Sequence, residues 1–512
     1  MMPAPHGPQQ LKDRIVQSRV HHERDQFIAS IPERQVLTLA SSYRNAATCD
    51  FFDKPKRGSY NICYFVQFPD GVKWVVRVPL APCLAFGGRR KLESEVAAMQ
   101  VITSRKTIPI PRLIAYAVSD GREPLSSFLI LEFVEGQKLD PSKLRNLPDK
   151  QQANLYTSLA DIYIQLRRLE FPSIGCLDSG PDGIQVNKKT ISLDINMQEL
   201  EGLQPSSIQA LYHDPDGRLT SANKYVAMLL DISDNAFARG RGSVLEEDEG
   251  GDALYHLHLF RQYAQQWVDP LLDQGPFVMV HGDLEPFNLI VNQDMTIISV
   301  LDWEWSRVVP RQFFIPPLWL GIPDTTKLAY DFVYQDYLKR FHHLLGLVRT
   351  RELDMYGQSL LADEWTVAAN DSGFLVANAL ENWTDMDWFA HRYINWKWYR
   401  GQGKEGLDAR VKAFMEDPTH RALITAKLDE GRAYKAALDG LKNGNDKAAL
   451  NMDFGSLLAI IKRFVSPVPA FPNIITWGGV VILAAGTSYL IGKRIIQEVY
   501  YRHPTNLEWH PI

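Results

Sequence analysis

At 512 residues the chain is too long for one small core and implies two or three globular units. Its hydrophobic content of 45% and charged content of 22% are ordinary for a soluble globular protein. A net charge of -5, with no basic stripe carrying interleaved aromatics, excludes the usual footprint of nucleic-acid binding.

The four cysteines, Cys49, Cys63, Cys83 and Cys176, lack paired metal-ligand spacing and are sparse for a disulfide scaffold, which suits a reducing compartment. Residues 1–50 read as a polar extension leading into a helix. They contain no apolar h-region, so a cytoplasmic protein is expected.

From about Phe51 to residue 135 the pattern is that of short strands, the expected N-lobe. Tyr60 to Phe68, the turn Pro69-Asp70-Gly71 and Val72 to Val78 form a hairpin by alternation and turn chemistry. The preceding Gly58, Ser59 and Asn61 suit a loop approaching nucleotide phosphates, and equally an ordinary hairpin entry. In the second strand Lys73, Val75 and Arg77 share one face. Arg77 is the cation expected on the phosphates. Lys91 to Met99 reads as a helix with Leu92, Val96 and Met99 on one stripe, and Glu95 is the expected partner of Arg77, with Glu93 second. Strands at Leu113 to Val118 and Phe128 to Phe133 complete a small antiparallel sheet.

After Gly136 the chain turns helical, with Leu155, Leu159, Ile162 and Leu166 at helix spacing. The expected mainly helical C-lobe spans 136–445, with an irregular insertion at 172–252 whose acidic run, Glu246 to Asp252, reads as a solvated loop. Within this lobe, Leu289 to Val291 and Thr296 to Leu301 are apolar runs separated by Asn292, Gln293 and Asp294, a strand-turn-strand signal. Pairing across that turn brings Asn288 beside Asp302. An amide oxygen and a carboxylate there suit Mg²⁺, which takes oxygen ligands and shares its shell with substrate phosphates. Asp283, five residues before Asn288, is placed to reach an acceptor hydroxyl, as phosphoryl transfer requires.

His281-Gly282-Asp283, Asn288 and Asp302-Trp303-Glu304 together resemble the catalytic loop and metal motif of the aminoglycoside phosphotransferase family, in its fungal-type branch. The resemblance covers about residues 50 to 345. It implies an α+β, bilobal protein-kinase-like fold. It also implies a catalytic base at Asp283, a loop-ordering role for His281, and Mg²⁺ ligands at Asn288 and Asp302. WVVRVPL is similar to the strand in which the family carries its nucleotide-phosphate cation. Leu131 to Gly136 looks like the connection between lobes, which implies that the backbone of Glu132 and Val134 faces adenine. An ordinary protein kinase is a poorer match, because the loop reads HGD rather than HRD and the metal motif DWE rather than DFG.

Beyond this, helices are expected from about 325 to 350 and from 360 to 400. The aromatics of the latter suit core packing or one wall of an acceptor pocket charged by Glu381, Asp385 and Asp387. In the tail, 446–512, Ile474 to Ile491 is nearly long enough to span a bilayer, which takes about 20 apolar residues. A transmembrane anchor at 474–492 or a helix buried on the C-lobe are the two expectations there. The reading as a whole is a small-molecule kinase that uses ATP and Mg²⁺. The contrasting one is a nucleotide-binding pseudokinase acting as an interaction module.

Overall fold

The structure is a computed structural model and describes residues 12–119, 123–180, 183–322 and 325–442. Among these the chain divides into two compact units. The larger holds residues 20–232 with 256–407, and the smaller holds 12–19 and 233–255 with 408–442.

Helices α1 (Arg14–Ala29) and α2 (Glu33–Ser42) precede a five-stranded antiparallel sheet. Its strands are β1 (Asp50–Arg57), β2 (Asn61–Gln67), β3 (Lys73–Pro79), β4 (Leu113–Ala117) and β5 (Phe128–Glu132), in the order β1-β2-β3-β5-β4. Pro69-Asp70-Gly71 closes the β2–β3 hairpin, with the Gly71 N–H donating to the Phe68 carbonyl at 2.9 Å. The resulting register sets Cys63 opposite Arg77. Between β3 and β4 runs helix α3 (Gly87–Arg105), which buries Leu92, Val96 and Met99. β1 is a strand beyond those expected, which begin at Tyr60. It is an exposed edge strand carrying Pro55 and several charges, a composition that suits an edge and hides the alternation of a half-buried strand.

The remainder of the larger unit begins with β6 (Gln137–Lys138), α4 (Asp149–Arg167), β7 (Glu170–Phe171), β8 (Cys176–Gly180) and β9 (Gly183–Lys188). Residues 172–252, expected to be irregular, then contain α5 (Leu193–Leu200), α6 (Pro205–Tyr212), α7 (Ala222–Arg239) and the start of α8 (Glu247–Trp267). Local signals account for the difference: Ser192 caps α5 by accepting from the Ile195 N–H, and Pro205 sits in the first turn of α6. The acidic run also belongs to a helix rather than a loop. Glu247, Asp248 and Glu249 form the first turn of α8, where carboxylates complement the helix dipole.

Strands β10 (Phe277–Val280), β11 (Leu289–Val291), β12 (Ile297–Val300) and β13 (Arg307–Pro310) build two further small sheets, β13-β10-β7 and β12-β11-β6. Gly136 is required where the chain crosses onto β11 and β12, because a Cβ there would lie 2.4 Å from Ile290 Cγ2 and 2.9 Å from Ile298 Cδ1. Helices α9 (Asp331–Tyr356), α10 (Leu361–Asn370), α11 (Gly373–Glu381), α12 (Trp383–Phe389) and α13 (Asn395–Trp398) follow, so the helix expected over 360–400 is broken into several pieces. Its aromatics largely pack the core: Trp365 is 1% exposed and donates its indole N–H to the Phe314 carbonyl, and Phe374 meets the Phe341 ring edge-on at 5.1 Å.

In the smaller unit α14 (Gly403–Phe414) and α15 (Pro418–Lys442) contribute their described residues. Lys427 is buried and donates to the Gly240 carbonyl at 3.0 Å, while Arg241 pairs with Asp13 at 2.6 Å. Among the described residues no helix is long and apolar enough to cross a membrane. The apolar segment 474–492, named above for that role, lies outside the described residues.

Candidate active site

Three carboxylates and two cations meet behind β3. Arg77, 6% exposed, reaches Glu95 of α3 at 2.5 Å, Glu304 at 2.6 Å, and Asp302. Lys91, one turn before Glu95 on the same face of α3, pairs with Glu304 and lies 3.2 Å from Asn61 Oδ1. Burial opposes the charge of Arg77, but the three carboxylates more than offset it and hold its pKa well above the usual range. Glu304 also suffers burial, yet Lys91 and then Arg77 keep its carboxyl below the ordinary value. Glu95, 1% exposed, is pushed up to about 7 by burial against the pull of Arg77. Asp302 is raised by burial, with Arg77 relieving part of the shift, and 33% of its side chain stays exposed. Its backbone is left-handed, at φ 68° and ψ 56°, which is uncommon outside glycine.

The loop from β10 to β11 supplies the opposing groups. His281 is 2% exposed, and its Nε2 lies 2.8 Å from the Leu301 carbonyl. A carbonyl can only accept, so Nε2 carries the proton and Nδ1 accepts the Asp283 N–H at 3.3 Å. Burial lowers this imidazole to about 4 and keeps it neutral. Gly282, at φ +85°, cannot be replaced without a clash, since a Cβ would lie 2.1 Å from the Trp305 carbonyl. Asn288, 3% exposed, donates its amide N–H groups to the Asp283 carbonyl at 2.8 Å and to Asp283 Oδ2 at 3.1 Å. The main-chain carbonyl of Asn288 in turn accepts from the Leu301 N–H at 2.8 Å, tying Asp283, Asn288 and the approach to Asp302 together. Burial, then Glu285, Asp302 and Glu304, push the Asp283 carboxyl well above the carboxylate range. Burial alone takes Glu285 to about 7.

A model of the phosphotransferase enzyme family, APH, matches residues 55–313. The chain belongs to this phosphotransferase family. Among curated proteins it is 26% identical to clavilactone A biosynthesis cluster protein Y of Ampulloclitocybe clavipes, over 52% of this chain and 64% of that protein. It is also 29% identical to Altered inheritance of mitochondria protein 9, mitochondrial, of Candida albicans (strain WO-1), over 19% of this chain and 16% of that protein. The chain thus spans less than two thirds of either relative. Among solved structures, the GDP and kanamycin complex of APH(2")-IIia aligns with a TM-score of 0.39 at 16% identity, covering 74% of this chain and 98% of that one. Macrolide 2'-phosphotransferase type I aligns with a TM-score of 0.34 at 16% identity, covering 71% and 96%.

In this family member the other residues named from sequence have distinct positions. Gly58 and Ser59 form the exposed turn between β1 and β2, where the Gly58 N–H donates to the Asn61 carbonyl at 2.8 Å. The Asn61 side chain points into the buried cluster and donates to Glu304 at 2.6 Å. Glu132 ends β5 opposite Trp74, with its N–H donating to the Arg112 carbonyl at 2.9 Å, and Val134 follows in the linker, half-buried. Glu381, expected to supply charge to an acceptor pocket, is engaged by Arg307 at 2.5 Å and by the Tyr225 hydroxyl at 3.1 Å. Asp387 lies 2.6 Å from His256 Nδ1, and the Asp385 side chain is outside the described set. Lys91 and Glu304 are buried members of the cluster with no role evident from sequence. The i,i+4 spacing of Lys91 to Glu95 and the DWE motif were the available signals.

The donor set fits a hard cation. With both amide donors of Asn288 directed at Asp283, its oxygen is the atom left to act as a ligand, and Asp302 supplies a partly exposed carboxylate. No group of three or more His, Cys, Asp or Glu side chains among the described residues is arranged to hold a metal. An ion here would therefore depend on phosphate and water for the rest of its shell.

Proposed function

We propose that this family member transfers the γ-phosphate of ATP to a hydroxyl of a small molecule. The observation that carries the reading is Asn288, whose side-chain amide donates to Asp283 while its main-chain carbonyl accepts from the N–H of Leu301, the residue before Asp302. Asn288 thereby ties the proton acceptor to the strand end that leads into Asp302.

When bound by Asn288 and Asp302, Mg²⁺ supplies charge neutralisation on the transferring phosphate. Arg77 holds the phosphates and Glu95 holds Arg77, so the guanidinium fork is oriented before the nucleotide arrives. Gly58 and Ser59 present their turn to the phosphates, with Asn61 bracing it from the buried cluster. The main chain of Glu132 and Val134 faces the adenine edge. Asp283 accepts the proton as the acceptor oxygen bonds to the γ-phosphorus and ADP leaves. His281, neutral and donating to Leu301, orders the loop without entering the proton transfer.

The test is an ATP-consumption screen of the full chain over metabolite pools, with mass detection of a product that gains one phosphate. Wild type should form such a product and Asp283→Asn should not. ATP binding with no product in any pool would favour the interaction-module reading, and failure to bind ATP would sink both.

A further inference from the structure

Lys91 is a lysine buried on the inner face of α3. Its side chain is 3% exposed, as is expected only of a lysine whose charge is fully partnered. The partner is Glu304, 4% exposed, whose Oε2 also accepts from Asn61 Nδ2 and Arg77 Nη2, each at 2.6 Å. Asn61 completes the ring by accepting from Lys91 at 3.2 Å, and the Trp305 ring lies 5.8 Å from the ammonium. One carboxylate oxygen therefore joins three pieces of chain: α3 through Lys91, β2 through Asn61 and β3 through Arg77.

The arrangement has a consequence when nucleotide is present. Arg77 is shared by three carboxylates, and both it and Asp302 are assigned above to the incoming phosphates and cation. As those two turn to the ligand, Lys91 is the cation that still neutralises Glu304. A buried carboxylate left without its cation is strongly destabilising.

We propose that Lys91 and Glu304 form a latch that holds α3 against the Asp302 loop while Arg77 and Asp302 are engaged by Mg–ATP. This rests on the nucleotide reading above and assigns both residues as positioning residues for its cation site. Glu95 fixes α3 to β3, and Lys91 fixes the same helix to the loop that carries Asp302. Helix position and cation-ligand geometry are thereby coupled through two contacts one helical turn apart.

The test is calorimetric titration of the full chain with ATP, with and without Mg²⁺, alongside hydrogen exchange of Gly87–Arg105 in the ligand-free protein. Lys91→Met should lower Mg–ATP affinity on the order of tenfold while changing Mg-free ATP affinity little, and should speed exchange in α3 but not in β10. Lys91→Arg should recover most of the loss. Glu304→Gln combined with Lys91→Met should cost less than the sum of the two, since each single change strands the other charge. Equal losses with and without Mg²⁺, unrescued by Lys91→Arg, would reduce Lys91 to a packing residue and overturn the latch. So would a Lys91→Met protein that binds Mg–ATP as wild type does. Wild-type protein that binds no Mg–ATP overturns the nucleotide reading and the latch with it.

Discussion

Around Arg77 the site is held by charge, whereas around Asp283 it is held by main-chain hydrogen bonds and a single amide. The first region packs Arg77 and Lys91 among Glu95, Asp302 and Glu304, so each contact depends on the protonation and position of several others. In the second, His281, Asp283, Asn288 and Leu301 are linked mostly through main-chain groups and an amide rather than through ion pairs. A polyanion with its cation must reorganise the charged region but can enter beside the loop without disturbing it. Damage to the loop should therefore appear in rate, and damage to the cluster in nucleotide affinity.

The sharpest division comes from Asp283→Asn, which keeps an oxygen in place but cannot accept the proton. Turnover should fall by roughly a thousandfold, within the usual range for loss of a general base, with ATP affinity nearly unchanged. Because burial raises the Asp283 carboxyl, wild-type activity should be lost as pH falls through a limb above the ordinary carboxylate range. That limb should vanish with the variant's activity. Asp302→Asn should do the reverse and cost on the order of 100-fold in Mg-dependent nucleotide affinity. If both variants lose rate and affinity in the same proportion, the two regions are not separable.

The loop's own stability offers the next test. Burial of His281 lowers its pKa from 6.5 to about 4, so between those values the unfolded chain binds more protons than the folded one. Stability from this group is full above pH 6.5 and is lost as pH falls towards 4, amounting to about 3 kcal/mol. Glu95 works in the opposite sense: burial raises its carboxyl to about 7, so its contribution declines as pH rises from 4.5 towards 7. Denaturant melts of wild type and His281→Gln across pH 4 to 7 isolate the histidine, whose removal should flatten the acid-side loss. Parallel pH profiles for the two proteins would show that His281 titrates normally.

Much of this contrast is legible in the sequence, but unevenly. The approach of Asn288 to the Asp302 end of the hairpin is legible because a turn fixes which residues meet at its open end, and the main-chain carbonyl of Asn288 does accept from the residue preceding Asp302. The β2–β3 hairpin was legible for the same reason, through Pro69-Asp70-Gly71. Strand β1 was not, because an exposed edge has no buried face to impose alternation. The helices between 193 and 239 were obscured by the proline and glycine breaks around them, although the Ser192 cap was a usable signal. The link from Lys91 to Glu304 was hidden because nothing local to either residue reveals a partner so distant in sequence.

Within the charged region, Arg77 and Glu95 should behave as one unit. Alanine at either position strands a buried charge, so the double variant should lose less ATP affinity than the two single losses combined, by about 1–3 kcal/mol of coupling. Additive losses would mean that Glu95 does not orient Arg77, and that Asp302 and Glu304 hold it unaided.

Glu93 provides the smallest effect and the control for that cycle. It lies on the same helix as Glu95, two residues earlier, and the sequence alone kept it as a second partner for Arg77. Two residues along a helix turn the side chain to another face, and Glu93 pairs with Arg89 at 2.9 Å, with 25% of its side chain exposed. An i,i+4 pair of this kind contributes about 0.5 kcal/mol or less, since water and salt screen it. Glu93→Gln should therefore shift the thermal midpoint slightly, more at low salt than at high, and leave ATP affinity where it was. A loss of affinity approaching that of Glu95→Ala would place Glu93 within reach of Arg77 in solution, and the boundary between the buried cluster and the outer face of α3 would have to be redrawn.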